Sequence, residues 1–169
     1  DAELGLREIV DHLHAKGYRR PGFMSGAAAL STALRRRHHF TEFWAQKGIT
    51  EIALLSAEKY SAEAGAVSVR RYLSETAAQD RVDVLMCEND ILAIGALDEI
   101  RGKFGLRVPE EIAVVGFDNY ELSGSFAYGL TTYEQPRNEM VDVILKMIKG
   151  RIELETVTLP GTLIVRKSA

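Results

Sequence analysis

Short apolar runs alternate with longer segments of helical period along the whole chain, and this alternation constrains the fold more than any other feature. In the first helical segment Leu6, Ile9, Val10 and Leu13 recur at i, i+3, i+4 and i+7, which is one face of a helix. The run at 112–115 is apolar throughout, as in a strand that is buried on both faces. Strands and helices that alternate in this way form βαβ units. The sequence therefore predicts an α/β protein with a three-layer α/β/α arrangement around a parallel sheet.

The same pattern predicts the individual elements. Helices are expected at 6–17, 30–48, 61–73, 89–105 and 137–149, strands at 22–24, 52–55, 82–86, 112–115 and 130–133, and an extended tail at 157–166. Ser61 and Asn89 are good N-caps for two of the helices. The length of 169 residues is typical of one domain, or at most two small ones. No run approaches the roughly 18 apolar residues of a membrane span, so no membrane partner is expected.

Composition and motifs exclude several classes of function. With 21 basic and 24 acidic side chains the formal charge is −3, whereas domains that bind nucleic acid by themselves are usually strongly basic. The chain has no glycine-rich nucleotide motif and no nucleophile elbow, so we expect neither an enzyme nor a cofactor. No pair among His12, His14, His38 and His39 has i, i+4 spacing, so we expect no metal site. Cys87, the single cysteine, is expected to be a buried core residue and suits a reducing compartment.

Hydrogen-bonding side chains follow nearly every predicted strand. In an open parallel sheet, ligands bind beyond the carboxyl ends of the strands, and these ends lead into Ser25, Ser56 and Tyr60, Asn89 and Asp90, Asp118 and Asn119, and Glu134 and Gln135. Carboxylates and amides bind hydroxyl groups, and an aromatic ring packs on a sugar or a base. The set therefore suits a polar, uncharged small molecule. Asn and Asp are also common capping and turn residues, so for any one of them a structural role stays open.

A series of short segments carries a resemblance to a known family. The segments are 12–20, Ser25-Gly26, Arg36 with Phe40, Tyr60 with Ala64-Gly65, 89–97, 105–119, 130–136 and 159–168. In their order and spacing they resemble the effector-binding region of bacterial transcription regulators of the lactose-repressor/galactose-repressor (LacI/GalR) family. The resemblance covers essentially the whole chain. It implies one lobe of a type I periplasmic-binding-protein-like fold.

The resemblance also implies a ligand site. The matching positions are Arg36, Tyr60, Asn89, Asp90, Asp118 and Gln135. The arginine would fork to ligand hydroxyls or a carboxylate, and the tyrosine would stack on the ligand. Two residues depart from the family pattern. His39 replaces the usual glycine before Phe40, and Glu88 places a carboxylate before Asn89 that is expected to alter ligand preference.

Family members are longer than this chain, because they carry an N-terminal helix-turn-helix domain and a first ligand-binding lobe. Neither is expected in this sequence. Residues 1–134 would form the C-terminal lobe, and residues 135–169 the crossover, the helix that returns to the first lobe, and the tail strand. The implied function is effector sensing by a cytoplasmic homodimer that binds DNA only through the absent domain, with a sugar, nucleobase or related metabolite as effector. The alternative is a periplasmic sugar-binding protein of a transport system.

The return helix at 137–149 is broadly apolar, and without the first lobe it would lack its family partner. We expect it to dock on its own lobe in a changed position, or to pack against another copy, because an exposed apolar stripe favours association. The ligand site would be half a cleft. We therefore expect the isolated chain to bind effector weakly or not at all.

Overall fold

The computed structural model describes residues 2–26, 31–150 and 157–169, and a six-stranded sheet lies at its centre. The strands are Pro21–Ser25 (β1), Ala53–Ser56 (β2), Val84–Cys87 (β3), Ala113–Phe117 (β4), Thr131–Glu134 (β5) and Thr162–Ile164 (β6). Their order across the sheet is β2–β1–β3–β4–β5–β6. The first five strands are parallel, and β6 pairs antiparallel with β5. The carboxyl ends of the five parallel strands therefore share one edge of the sheet.

Helices cover both faces of this sheet. They are Ala2–Ala15 (α1), Ser31–Gln46 (α2), Ala62–Glu75 (α3), Asp90–Asp98 (α4) and Arg137–Ile148 (α5). Successive strand residues point to opposite faces, so Phe23 packs in the core with α1 and α2, whereas Met24 packs in the core with α3 and α4. Cys87 is fully buried in the second core, as predicted. The three-layer α/β/α arrangement is confirmed.

Two of the predicted elements differ clearly from the structure in their bounds. The helix expected at 89–105 is α-helical only to Asp98, and residues Glu99–Lys103 form a π-helical turn. This wider turn keeps both Glu99 and Ile100 buried, and Glu99 accepts two hydrogen bonds from Arg70, at 2.7 and 2.8 Å. Of the extended tail predicted at 157–166, only the three residues of β6 form a strand. The expected start of α2 at Leu30 lies outside the described residues.

A close approach of α3 and α4 depends on glycine. A Cβ atom on Gly95 would lie 1.8 Å from the carbonyl oxygen of Ala62, and one on Gly65 would lie 2.4 Å from the carbonyl oxygen of Leu92. The absence of both Cβ atoms therefore lets the two helix backbones meet. This contact sets α4, and with it Asn89 and Asp90, against the carboxyl edge of the sheet.

The last residues of the chain are tied into the sheet rather than left extended. Ser168 is buried, donates through its hydroxyl to the carbonyl of Val114 at 2.6 Å, and accepts from the amide of Thr131 at 2.8 Å. Its backbone carbonyl accepts from the amide of Val114 at 2.9 Å. The tail thus bridges β4 and β5 at their amino ends.

No residue of α5 is buried, which distinguishes it from the other helices. Its exposed apolar residues are Met140, Val141, Ile144, Leu145 and Ile148. Docking of this helix on its own lobe and packing against another copy both stay predictions. Among the described residues, no helix is both long enough and apolar enough to cross a membrane.

Candidate functional site

Arg36 is the central residue of a polar group at the carboxyl edge of the sheet. Its Nη1 donates to the backbone carbonyl of Glu88 at 2.7 Å, just beyond β3, and its Nη2 lies 3.7 Å from Oδ1 of Asp118, just beyond β4. The guanidinium also lies 4.0 Å from the centre of the Phe117 ring, a cation–π contact. Only 14% of the Arg36 side chain is exposed. The arginine is therefore held in one position before any ligand is considered.

Glu88 links Tyr60 to this group. Its side chain is 2% exposed and accepts from the Tyr60 hydroxyl at 2.8 Å and from the amide of Gly26 at 2.8 Å. Burial, followed by the hydrogen bond to Glu88 and its charge, raises the pKa of Tyr60 to about 12. A Cβ atom on Gly26 would lie 2.2 Å from the tyrosine ring. The glycine after β1 therefore makes room for the ring, and Glu88 orients its hydroxyl.

Asp118 and Asn119 form a turn with left-handed backbone, at φ values of 104° and 47°. Such values are uncommon outside glycine, and Asn and Asp tolerate them best. Oδ1 of Asp118 accepts from Nε2 of Gln135, and Oδ1 of Asn119 accepts from Nη2 of Arg166 at 2.9 Å. Burial raises the pKa of Asp118 above its usual value, against the opposing effect of Arg36. Arg36, Asp118 and Gln135 thus form one connected group.

Asn89 and Asp90 use their side chains within the protein. Oδ1 of Asn89 caps α4 by accepting from the amide of Leu92 at 3.0 Å. Asp90 is 1% exposed, and its carboxylate accepts from three groups: the Tyr120 amide at 2.6 Å, the Ser123 hydroxyl at 2.5 Å and the Thr132 hydroxyl at 2.6 Å. Burial raises the pKa of Asp90, and these hydrogen bonds partly oppose the rise. The structural role that was left open is present for both residues, and direct ligand contact by either stays a prediction.

The sequence predicted no role at the site for several residues that shape the group. Phe117 lies under Arg36, Gly26 donates to Glu88, and Arg166 connects the tail to Asn119 and to the carbonyl of Leu130. Phe117 directly precedes Asp118 at the end of β4, so its position was a usable signal. Arg166 lies 47 residues from Asn119, and no local pattern connects the two.

The side chains of this group offer both hydrogen-bond donors and hydrogen-bond acceptors to a ligand. Arg36 offers N–H donors, and Asp118, with 39% of its side chain exposed, offers carboxylate oxygens. The Tyr60 hydroxyl gives its hydrogen to Glu88, so its oxygen is left as an acceptor. Burial raises the pKa of the Cys87 thiol, so this thiol is protonated and poorly reactive.

A family model described as a periplasmic binding protein-like domain matches residues 10–169. That range contains all five parallel strands and the whole polar group around Arg36. The chain belongs to the family of periplasmic binding protein-like domains, as an effector-binding domain of the LacI/GalR type.

Individual relatives agree with this assignment. The chain is 32% identical over 156 residues to the HTH-type transcriptional repressor PurR of Aliivibrio salmonicida (strain LFI1238), a match that covers 89% of this chain and 46% of the relative. It is 28% identical over 134 residues to the HTH-type transcriptional repressor CytR of Escherichia coli (strain K12), covering 79% and 38%. The crystal structure of the Lac repressor bound to ONPG superposes with a TM-score of 0.87 at 28% identity, covering 100% of this chain and 51% of that chain. The chain therefore spans about half the length of the curated relatives that it matches.

Proposed function

We propose that this chain is the effector-sensing part of a bacterial transcriptional regulator, and that a small polar, sugar-like metabolite binds at the polar group around Arg36. In the longer protein this binding modulates DNA binding by a separate domain. The observation that carries the proposal is the convergence of Arg36, Asp118 and Gln135 on one edge of the sheet. In open parallel sheets, ligands bind at this edge.

The proposed ligand contacts follow the geometry of the group. Arg36 forks to ligand hydroxyls, Asp118 and Gln135 bind further hydroxyls, and the ring of Tyr60 packs on an apolar face of the ligand. Asn89 and Asp90 complete the proposed set at the head of α4. Because both are bonded within the protein, we propose that they contribute mainly by holding α4 and the loop after β4 in place.

Regulation is favoured over transport by the relatives, since the similar curated proteins are named transcriptional repressors. We extend to this chain a cytoplasmic location, association as a homodimer and DNA binding through a domain outside residues 1–169. We also propose the division into a C-terminal lobe, residues 1–134, and a crossover, return helix and tail, residues 135–169.

Calorimetric measurement of ligand affinity tests the proposal that the isolated chain contains only half of the binding cleft. A binding pocket normally encloses about 70–90% of a small ligand, whereas in the polar group described above 39% of the Asp118 side chain is exposed. We expect no binding tighter than millimolar for sugars, nucleosides or purine bases. Micromolar affinity of the isolated chain for its effector would contradict the half-cleft proposal.

Light scattering tests the association of the exposed α5 face. We expect the chain to dimerise, and we expect Ile144→Glu, which places a charge in the middle of the apolar stripe, to shift it towards the monomer. A wild-type chain that stays monomeric at high concentration, with the amides of 140–148 protected from exchange, would show instead that α5 docks on its own lobe in solution.

The decisive experiment uses the longer protein that contains this chain. Its affinity for operator DNA is measured with and without candidate effectors, for the wild type and for Arg36→Ala. We expect the variant to bind DNA normally and to lose its response to effector. Arg35→Ala is the matched control, because Arg35 is an exposed neighbour on the same helix and should respond as the wild type does. An unchanged response in Arg36→Ala would refute the proposed site.

A further inference from the structure

Three side chains of types that can bind a metal ion lie together on α2, between two and six residues after Arg36. Nε2 of His38 lies 3.8 Å from Oε2 of Glu42, and Nδ1 of His39 lies 3.7 Å from the same oxygen. One ligand atom from each residue falls within 4.8 Å of the other two. The sequence prediction of no metal site considered pairs of histidines only and left Glu42 out. We propose that His38, His39 and Glu42 bind a divalent transition-metal ion of the Zn²⁺ class.

The distances fit coordination better than direct hydrogen bonding. Both imidazole–carboxylate distances exceed the roughly 3.2 Å limit of a good N–H···O hydrogen bond. Ligand atoms that share a tetrahedral Zn²⁺, at metal distances of about 2.0–2.2 Å, lie about 3.4 Å apart. The two imidazole–carboxylate distances, 3.8 and 3.7 Å, are within a few tenths of an ångström of that value, and the two imidazole nitrogens lie within 4.8 Å of each other.

His39 provides the second observation that points to a ligand. Its Nδ1 is buried and has no hydrogen-bond partner, and a buried polar atom of this kind is unfavourable unless it is satisfied. The ring stacks on Phe43, with centroids 5.9 Å apart and planes 16° apart, which fixes its direction. A metal ion on the Glu42 side would satisfy the orphaned nitrogen.

The Glu42 carboxylate is oriented so that one of its oxygens faces both imidazoles. Its Oε1 accepts from Nε2 of Gln46 at 3.4 Å, so its Oε2 remains directed at the two imidazoles. Support of a ligating carboxylate by an outer hydrogen bond is common in metal sites. The His38 side chain is 73% exposed, so the fourth coordination position opens to water. Two nitrogens, one carboxylate oxygen and water suit Zn²⁺ and similar ions and exclude a preference for Mg²⁺.

Occupancy of this site would clamp α2 across one turn. Arg36 lies on the same helix, two residues before His38, so the ion would bind on the element that carries the central residue of the candidate effector site. A ligand that binds only the folded state raises its stability. Zn²⁺ is therefore expected to raise the melting temperature of the chain whether or not the proposed regulatory function is correct.

The test is calorimetry and thermal melting of the untagged, metal-free chain with ZnCl₂, and with MgCl₂ as the hard-cation control. We expect one Zn²⁺ per chain, a higher melting temperature, and no response to MgCl₂. His38→Ala and Glu42→Gln, which alter exposed side chains, are each expected to weaken Zn²⁺ binding at least about ten-fold, which corresponds to 1.4 kcal/mol. Circular dichroism shows whether each variant is folded.

His14→Gln is the matched control, because it removes a histidine from another helix and should leave Zn²⁺ binding unchanged. Co²⁺ provides an independent readout, since a tetrahedral site with these ligands gives visible absorption bands that His38→Ala should abolish. The proposal is overturned if the wild type binds no Zn²⁺ at 100-micromolar concentration, or if it binds equally well after His38→Ala and Glu42→Gln.

Discussion

Replacing Asp90 with alanine is expected to lower the free energy of unfolding by about 2–3 kcal/mol. Asp90 lies at the first position of α4, yet its carboxylate accepts hydrogen bonds from Tyr120 and Ser123, in the loop after β4, and from Thr132 in β5. A single side chain therefore holds together three parts of the chain that frame the candidate site. The substitution removes all three acceptor contacts at once.

The magnitude follows from what happens to each donor. The Tyr120 amide is fixed in the backbone and loses its partner, which costs about 1–2 kcal/mol. The hydroxyls of Ser123 and Thr132 can rotate towards other acceptors, so each loss costs about 0.5–1 kcal/mol. Alanine also removes a carboxylate that is unfavourable to bury, and this gain offsets part of the loss. The remainder is the expected 2–3 kcal/mol.

Urea unfolding, followed by the fluorescence of the single, fully buried Trp44, measures this change. Asp90→Asn should cost less, about 1 kcal/mol, because its oxygen can still accept from Tyr120 and Ser123 while its amide donates to Thr132. Asp98→Ala is the matched control on the same helix, with an exposed side chain and one long hydrogen bond at 3.3 Å, and should change stability by less than about 0.5 kcal/mol. Asp90→Ala with wild-type stability would refute the reasoning.

The difference in stability between the wild type and Asp90→Asn should depend on pH, and the direction follows from the pKa of Asp90. Burial raises the pKa of Asp90 above its ordinary value of 3.8, so the folded chain binds this proton more tightly than the unfolded chain does. The resulting stabilisation is complete below about pH 3.8 and is lost as the pH rises through the folded-state pKa. The stability of the wild type relative to Asp90→Asn should therefore increase as the pH falls from about 7 to about 4. A relative stability that decreases over this range would show that the hydrogen bonds outweigh burial.

Two further predictions concern the helix contact and the site tyrosine. Gly95→Ala should destabilise the chain by about 2–3 kcal/mol in urea unfolding, because the new methyl group would clash with the backbone of Ala62. Gly102→Ala is the control and should change stability little, because a Cβ atom there has nothing within 4 Å. Equal effects of the two substitutions would contradict the close helix contact. Ultraviolet titration of the wild type, compared with Tyr60→Phe, should show Tyr60 ionising near pH 12 because of burial and Glu88. Glu88→Gln should lower the pKa of Tyr60 towards 10.0. An unchanged pKa would mean that Glu88 does not bind the Tyr60 hydroxyl.

The layers and the sheet could be predicted because their signals are local. Short apolar runs that alternate with segments of period 3.6 specify which residues face the core, and the structure confirms the three layers and the caps at Ser61 and Asn89. The π-helical turn after α4 was not predictable from this periodicity. There the pairing of Glu99 with Arg70, on another helix, accompanies a change in the helical turn that apolar spacing alone does not reveal.

The candidate site was predictable as a set of positions but not as a set of contacts. The resemblance to a family selected Arg36, Asp118 and Gln135, and the structure brings them together. The resemblance could not indicate that the Asp90 side chain is buried. The three groups that donate hydrogen bonds to its carboxylate lie 30 to 42 residues away in sequence. The same holds for Glu88, whose partners are 28 and 62 residues distant.

From the charges around Arg36 we expect the proposed effector to be neutral rather than anionic. Asp118 already lies 3.7 Å from the guanidinium, and Glu88, whose backbone carbonyl accepts from Arg36, adds a second, buried carboxylate that is bonded to Tyr60 and Gly26. An anionic ligand would therefore approach an arginine whose charge is balanced, and it would meet two carboxylates at short range. A hydroxyl group can both donate to Asp118 and accept from Arg36 without adding charge. We therefore expect the carboxylate of Glu88, which departs from the family pattern, to influence ligand choice through the local field and the orientation of Tyr60.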